Sequence, residues 1–246
     1  MSGGSHNPLE QFRIRYFTDF PDVAGMNLNF SNSAMFMFFA VIAVSVFVIG
    51  GMRRGELIPG RWQSMVELSY EFIANMIKDN VGSQGRDYFP FIFSIFMFVA
   101  ASNVLGLLPY SFTTTSHIAV TFALAAFIFV GVTIIAIVKH GVKFFGFFLP
   151  HGTPWWMAPL MIFIELFAYL ARPISLSVRL AANMLAGHTM LKVIAGFIMS
   201  LGFALGWAPL AFLVVLTGFE VFVALLQAYI FAILTCVYLN DALHLH

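Results

Sequence analysis

The chain has 246 residues, of which 61% are hydrophobic and 9% charged, with a formal net charge of +1. Soluble domains carry roughly 25% charged residues, so the composition excludes an ordinary globular protein and predicts a polytopic membrane protein. The near-zero net charge argues against a nucleic-acid partner, and the single cysteine, Cys236, excludes an intramolecular disulfide framework and disfavours a cysteine-based metal site.

Residues 1–33 hold Glu10, Arg13, Arg15, Asp19 and Asp22 and no apolar core of signal-peptide length, so they read as an external polar tail. The first apolar block, Ala34–Gly51, is just long enough to span a bilayer. It is followed by RWQSMVELSYEFIANMIKDN, where Trp62, Met65, Val66, Ile73, Met76 and Ile77 fall on one side at helical spacing. Glu67, Glu71 and Lys78 fall on another, which predicts an amphipathic helix over 61–80 lying on the membrane surface.

Further spans are expected over Tyr88–Leu108 and Ser116–Val138. The last two blocks, Trp155–Leu201 and Pro209–Leu239, exceed the about 20 residues that cross a hydrocarbon core. Tilt or kinking absorbs such excess, and Pro173 marks either a kink or a break in the fourth block. The expected fold is therefore all-α, one membrane domain, with five crossing helices and one surface helix. Residues 155–239 form a long helical hairpin whose turn is Gly202-x-x-x-Gly206.

Orientation follows from the basic residues. Arg53, Arg54, Arg61, Lys78 and Arg86 flank one loop and Lys139 and Lys143 follow the third span, whereas the 108–115 and 201–208 connections are uncharged. That pattern predicts an external N-terminus and a cytoplasmic C-terminus.

The intramembrane polar residues carry the functional reading, because a charge at the bilayer centre costs about 2.5–3.5 kcal/mol even on insertion scales. Glu165, Arg172 and Arg179 recur at heptad spacing on one helix face, and Asn183, His188 and Lys192 follow. Glu220 and Gln227 occupy the last block. His188 and Glu220 are equidistant from a turn centred near residue 204, and Asn183 and Gln227 from one near 205, so each pair is expected at one level of an antiparallel hairpin. Arg179 falls opposite Tyr229 and Ile230, about nine residues or roughly 13 Å from the level of Glu220. A buried unpaired cation is costly, so its partner is expected on another subunit. Imidazole and carboxylate relay protons, and a fixed guanidinium both repels a passing proton and favours deprotonation of a nearby acid. Two half-paths separated by a fixed charge need a mobile carrier between them. The alternative for the set is a structural ion pair that locks two helices.

PISLSVRLAANMLAGH, LLQAYIFAILTCVYLNDA and SNVLGLLP together resemble subunit a of F-type ATP synthases, over most of the chain from about residue 30. The resemblance implies a stator subunit, not an enzyme by itself and needing no cofactor. Its partners would be the carboxylates of a rotating c-subunit ring, peripheral-stalk b-type subunits, the catalytic head and membrane lipid. It implies that Arg179 is the essential arginine facing the ring, with Asn183 and Gln227 beside it, His188 and Glu220 in the outer half-channel and Glu165 near the inner one. Ser175 and Tyr229 become candidate channel-side residues. It also implies strong tilt of the last two helices. The order histidine then glutamate follows mitochondrial-type members, the reverse of some bacterial ones. The implied location is a bacterial inner membrane of alphaproteobacterial type, or the mitochondrial inner membrane. Two readings of Asn103 stand, a channel-side group or a helix–helix hydrogen bond. Two stand for Arg172, a neighbour of the inner path or a snorkelling side chain. His244 and His246 read as a polar tail, with no metal expected. Rival functions are a secondary ion-coupled transporter, which predicts inverted repeats, and a structural subunit of a respiratory complex.

Overall fold

A computed structural model describes residues 31–53, 55–56, 58–108, 113–141, 146 and 156–243. Residues 1–30 of the expected external tail and the two C-terminal histidines lie outside the described residues, whereas Asn32 and Ser33, expected in the tail, already belong to the first helix. Among the described residues the fold is all-helical. In order come α1 (Asn32–Met52), α2 (Arg61–Val81), α3 (Phe89–Gly106), α4 (Ile118–His140), α5 (Ala158–Leu205) and α6 (Trp207–Leu243). Short 3-10 turns, Ser83–Tyr88 and Thr114–Ser116, precede α3 and α4. Five segments of the described residues are long and apolar enough to cross a membrane: Asn32–Met52, Ser83–Gly106, Ile118–His140, Ala158–Gly202 and Trp207–Leu243. Apolar residues such as Phe38, Ile49, Val138, Val214 and Phe222 are widely exposed along them. Exposure of that kind is stable only in lipid or against other apolar protein, so this is a membrane protein.

Pro173 neither breaks α5 nor interrupts its helical dihedrals; the one departure is Gly202, at φ 63° and ψ −170°. That conformation is open essentially only to glycine. The Gly206 amide donates to the Gly202 carbonyl at 2.9 Å, and a Cβ on Gly206 would lie 2.6 Å from that same oxygen. Both glycines of the predicted turn are thus required by backbone geometry. Pro209 sits in the first turn of α6, where its missing N–H costs nothing.

The contacts group the chain into two compact units. The first holds the described part of Met1–Ile49 with Met97–His117 and Leu180–Ala228. The second holds Gly50–Phe96, Ile118–Arg179 and Tyr229–His246. In the second unit Ile73, Met76, Ile77 and Val81 of α2 form one apolar cluster with Ile92 of α3 and with Ala232, Cys236, Leu239 and Leu243 of α6. The buried stripe of α2 differs in part from the one its periodicity suggests. Val66 and the apolar residues from Ile73 onward are buried, but Trp62 and Met65 are exposed. The packed face is rotated toward the C-terminal end of the helix, where α3 and α6 cover it. Gly82, at φ 77°, ends α2 by donating to the Lys78 carbonyl at 3.1 Å.

The two units treat buried polar groups differently. In the second, Thr121, Ser177 and Thr235 donate to carbonyls three or four residues back, and Gln63 donates to the Glu56 carbonyl and the Glu67 carboxylate. In the first, Ser33 Oγ, Ser102 Oγ, Asn103 Oδ1, Thr115 Oγ1 and both oxygens of Glu220 are buried without a protein hydrogen-bond partner.

Candidate functional site

Within the first unit, His188 on α5 and Glu220 on α6 stand side by side, with Nδ1 3.9 Å from Oε1. Their side chains are only 13% and 7% exposed, so the pair is withdrawn from the helix surfaces that face outward. Both oxygens of Glu220 lack a protein hydrogen-bond donor. Glycine at 187 makes the approach possible: a Cβ there would lie 2.5 Å from Glu220 Oε1 and 3.0 Å from its carboxyl carbon. On the other edge of the imidazole, Nε2 lies 2.9 Å from Thr113 Oγ1. That hydroxyl also donates to the Gly106 carbonyl at 3.1 Å. Thr113 opens a run of four hydroxyl residues, Thr113 to Ser116, each at most 8% exposed. The run folds as a 3-10 turn, with Ser116 Oγ donating back to the Thr113 carbonyl at 2.6 Å.

Asn103 is fully buried and donates from Nδ2 to the Ala224 carbonyl at 3.0 Å, tying α3 to α6 one turn from Glu220. Of its two sequence readings, the helix–helix bond is present, and Oδ1 remains without a protein partner. Gln227 is buried on α6, whereas Asn183 is exposed on α5. The expected level matching is seen directly for His188 and Glu220; Asn183 and Gln227 share the unit.

In the second unit Arg172 does not snorkel freely. Its Nη1 donates to Asp241 Oδ2 at 2.9 Å, and its guanidinium carbon lies 5.5 Å from the Tyr169 ring centroid and 5.1 Å from that of Tyr238. This is the structural ion pair that sequence reasoning held open for the whole set, realised at one residue. Tyr169 is itself held by Thr133, with hydroxyls 2.6 Å apart. Arg179 differs. It is exposed on α5, between the buried Leu176 and Leu180, and no carboxylate of the described residues pairs with it. Glu165 is half-buried and Ser175 exposed, and the ring of Tyr229 packs 5.7 Å from that of Phe72.

Sequence reasoning missed Thr113, Gly187 and Asp241. Asp241 was legible in principle, since it lies close to the level of Arg172 across the hairpin. Thr113 was not, because nothing in TTTS says which hydroxyl reaches which helix.

Just outside the spans, burial lowers the pKa of His117, favouring its neutral ring at the entrance to α4.

The chain resembles known proteins along most of its length. The family described as ATP synthase A chain matches residues 34–240. The chain is 53% identical over 242 residues to the ATP synthase subunit a of Ehrlichia canis (strain Jake), covering 98% of this chain and 100% of that one. It is 52% identical to the ATP synthase subunit a of Wolbachia sp. subsp. Brugia malayi (strain TRS), covering 96% and 98% of the two chains. It is 52% identical to that of Pelagibacter ubique (strain HTCC1062), covering 98% of each.

Proposed function

The chain belongs to the ATP synthase A chain family, and from that premise we propose that it is the proton-conducting stator subunit of an F-type ATP synthase. Protons enter from the outer face past His188 and Glu220, with Asn183 and Gln227 along the way, and neutralise a carboxylate on a ring of c subunits. The neutral carboxyl tolerates lipid, so the ring turns, and the proton leaves past Glu165. Arg179 stands between the two half-paths. Its fixed charge blocks direct passage and favours release of the proton from the arriving acid. Each proton contributes about 2.3 kcal/mol per 100 mV, which rotation delivers to a catalytic head made of other chains. Peripheral-stalk subunits would hold this chain against the torque. The reading places it in a bacterial inner membrane, N-terminus outside and C-terminus in the cytoplasm.

The observation that carries the reading is the contact between His188 and Glu220: two titratable side chains, 13% and 7% exposed, 3.9 Å apart in helices otherwise built for lipid. A merely structural pair would satisfy the remaining carboxylate lone pairs with protein donors. Here both oxygens of Glu220, with Ser102 Oγ, Asn103 Oδ1 and Thr115 Oγ1, are buried without a protein hydrogen-bond partner, and hydration of these groups would give protons a route to the pair. The test is ATP synthesis by the reconstituted complex under an imposed gradient. It should follow a proton gradient without sodium and cease in Glu220→Gln. Synthesis that needs a sodium gradient, or that survives Glu220→Gln at its normal rate, would refute the reading.

A further inference from the structure

Resting on that proton path, we propose that the turn between α3 and α4 is a working part of it: Thr113 is a positioning residue that sets which edge of the His188 ring meets Glu220. The imidazole is asymmetric. A half-turn about its Cβ–Cγ bond exchanges Nδ1 with Cδ2 and Nε2 with Cε1, and rotation about that bond is intrinsically broad and roughly two-fold. Only one of the two settings presents a nitrogen to the acid. In the structure Nδ1 lies 3.9 Å from Glu220 Oε1, and Nε2, on the other edge, lies 2.9 Å from Thr113 Oγ1. Turned by half, the ring would offer C–H groups to both. The bond to Thr113 favours the observed setting whichever group carries the shared hydrogen, because a hydroxyl and a ring nitrogen can each donate or accept.

Thr113 can hold the ring because it is itself held. It is 4% exposed, and its Oγ1 lies 3.1 Å from the Gly106 carbonyl at the end of α3. Its own carbonyl accepts from Ser116 Oγ at 2.6 Å and from the Ser116 amide at 3.3 Å. The missing side chain at Gly106 makes room for it: a Cβ there would lie 2.8 Å from the Thr113 methyl carbon and 3.3 Å from Oγ1. The turn therefore delivers a fixed hydroxyl to one edge of an α5 side chain, while α6 delivers Glu220 to the other. At 3.9 Å, Nδ1 and Oε1 stand beyond hydrogen-bond length. A proton crosses when the side chains close that gap or a water bridges it, and either route needs a nitrogen on the edge that faces the acid.

The test is solid-state NMR of the intact reconstituted complex labelled with 15N,13C-histidine and 13C-glutamate. The readout is the dipolar coupling of each His188 ring nitrogen to the Glu220 carboxyl carbon, with the His188 signals assigned by their loss in His188→Gln. Nδ1 should couple more strongly than Nε2 in the unsubstituted complex and in Thr113→Ser. In Thr113→Val, which keeps the shape and loses the hydroxyl, the preference for this ring setting should fall by up to about tenfold, the worth of one buried hydrogen bond. Thr113→Ala carries the same expectation should the valine variant fail to assemble. Proton-driven ATP synthesis should fall with the preference and return with serine, which restores the hydroxyl but not the methyl group and so separates the bond from packing. A stronger coupling to Nε2 in the unsubstituted complex overturns the proposal by itself, as does an unchanged coupling in the variants that lack the hydroxyl. A ring that turns in Thr113→Val while synthesis keeps its rate upholds the positioning by Thr113 and overturns the passage of protons through His188 instead.

Discussion

Gly187 and Glu220 are packed so closely that no side chain fits between them: a Cβ on Gly187 would sit 2.5 Å from one carboxylate oxygen and 3.3 Å from the Glu220 Cγ. The glycine preceding His188 is thus the slot through which the acid reaches the imidazole. Gly187→Ala should push the carboxylate away from Nδ1 and slow proton-driven ATP synthesis by about tenfold or more, the scale of a displaced proton-transfer group. Gly196→Ala, on the same helix with nothing within 4 Å of its Cβ, should be within about twofold of the parent, since alanine favours a helix over glycine. Equal rates in the two variants would show that the slot does not matter.

Exchanging the pair, His188→Glu with Glu220→His, keeps one imidazole and one carboxylate across the hairpin. Each single alanine substitution should nearly abolish gradient-driven synthesis, and the exchanged chain should recover part of it. Thr113 would then face a carboxylate rather than Nε2, so recovery should be incomplete. The measurement is ATP synthesis in vesicles, normalised to assembled complex; full loss in the exchanged chain argues against a simple relay.

Among the described residues no carboxylate pairs with Arg179, so removing it should not leave a buried acid unpaired within the subunit. Arg179→Ala is expected to assemble and to abolish gradient-driven synthesis while passive proton leak persists. Arg179→Lys retains a charge but not the planar, permanently protonated fork, and should also be severely impaired. Subunit content, ATP synthesis and dye-reported proton flux in vesicles check this, and near-normal synthesis in the alanine variant would remove Arg179 from the mechanism.

Arg172 should behave in the opposite way. Its bond to Asp241 and its contact with the Tyr238 ring hold α5 to α6, while Tyr169, on α5 itself, covers its other side. The pair is partly exposed, with side chains at 22% and 33%, which places its worth between that of a surface pair and a buried one. Asp241→Ala should lower stability by about 1–2 kcal/mol, seen as a lower midpoint for loss of this subunit on heating the complex. Synthesis at low temperature should be largely kept. Arg172→Lys keeps the ion pair, loses the stacking over Tyr169 and Tyr238, and should cost about 1 kcal/mol.

The fold was largely legible because lipid imposes a simple rule: stretches of apolar residues long enough to cross must be helices. The five spans are where the apolar blocks lie, with ends shifted by a few residues where polar termini stay helical, as from Leu239 to Leu243. The site was half legible. An antiparallel hairpin turns residue number into depth, which is why His188 and Glu220 could be paired from position alone. Depth says nothing of a third element, so Thr113, delivered by the turn before α4, was invisible. Which face of α2 is covered was equally hidden, since Trp62 and Val66 are both apolar and only packing distinguishes them. Pro173 was ambiguous because the same ring that kinks one helix is absorbed in another.

The turn between Gly202 and Gly206 has a bearing on how such a chain can change over time. Each added residue that is wound into a helix rotates the downstream part of that helix by about 100° and advances it about 1.5 Å. One codon inserted in the turn and taken up by α6 would swing Glu220 away from His188 without altering a single functional side chain. Length in this connection is therefore as constrained as residue identity. Substitutions along the lipid-facing surfaces of α5 and α6 can accumulate freely, but insertions and deletions between the two helices should be purged. Mutational libraries scored for growth on a non-fermentable substrate should show that contrast as a gap in tolerated lengths between residues 202 and 206.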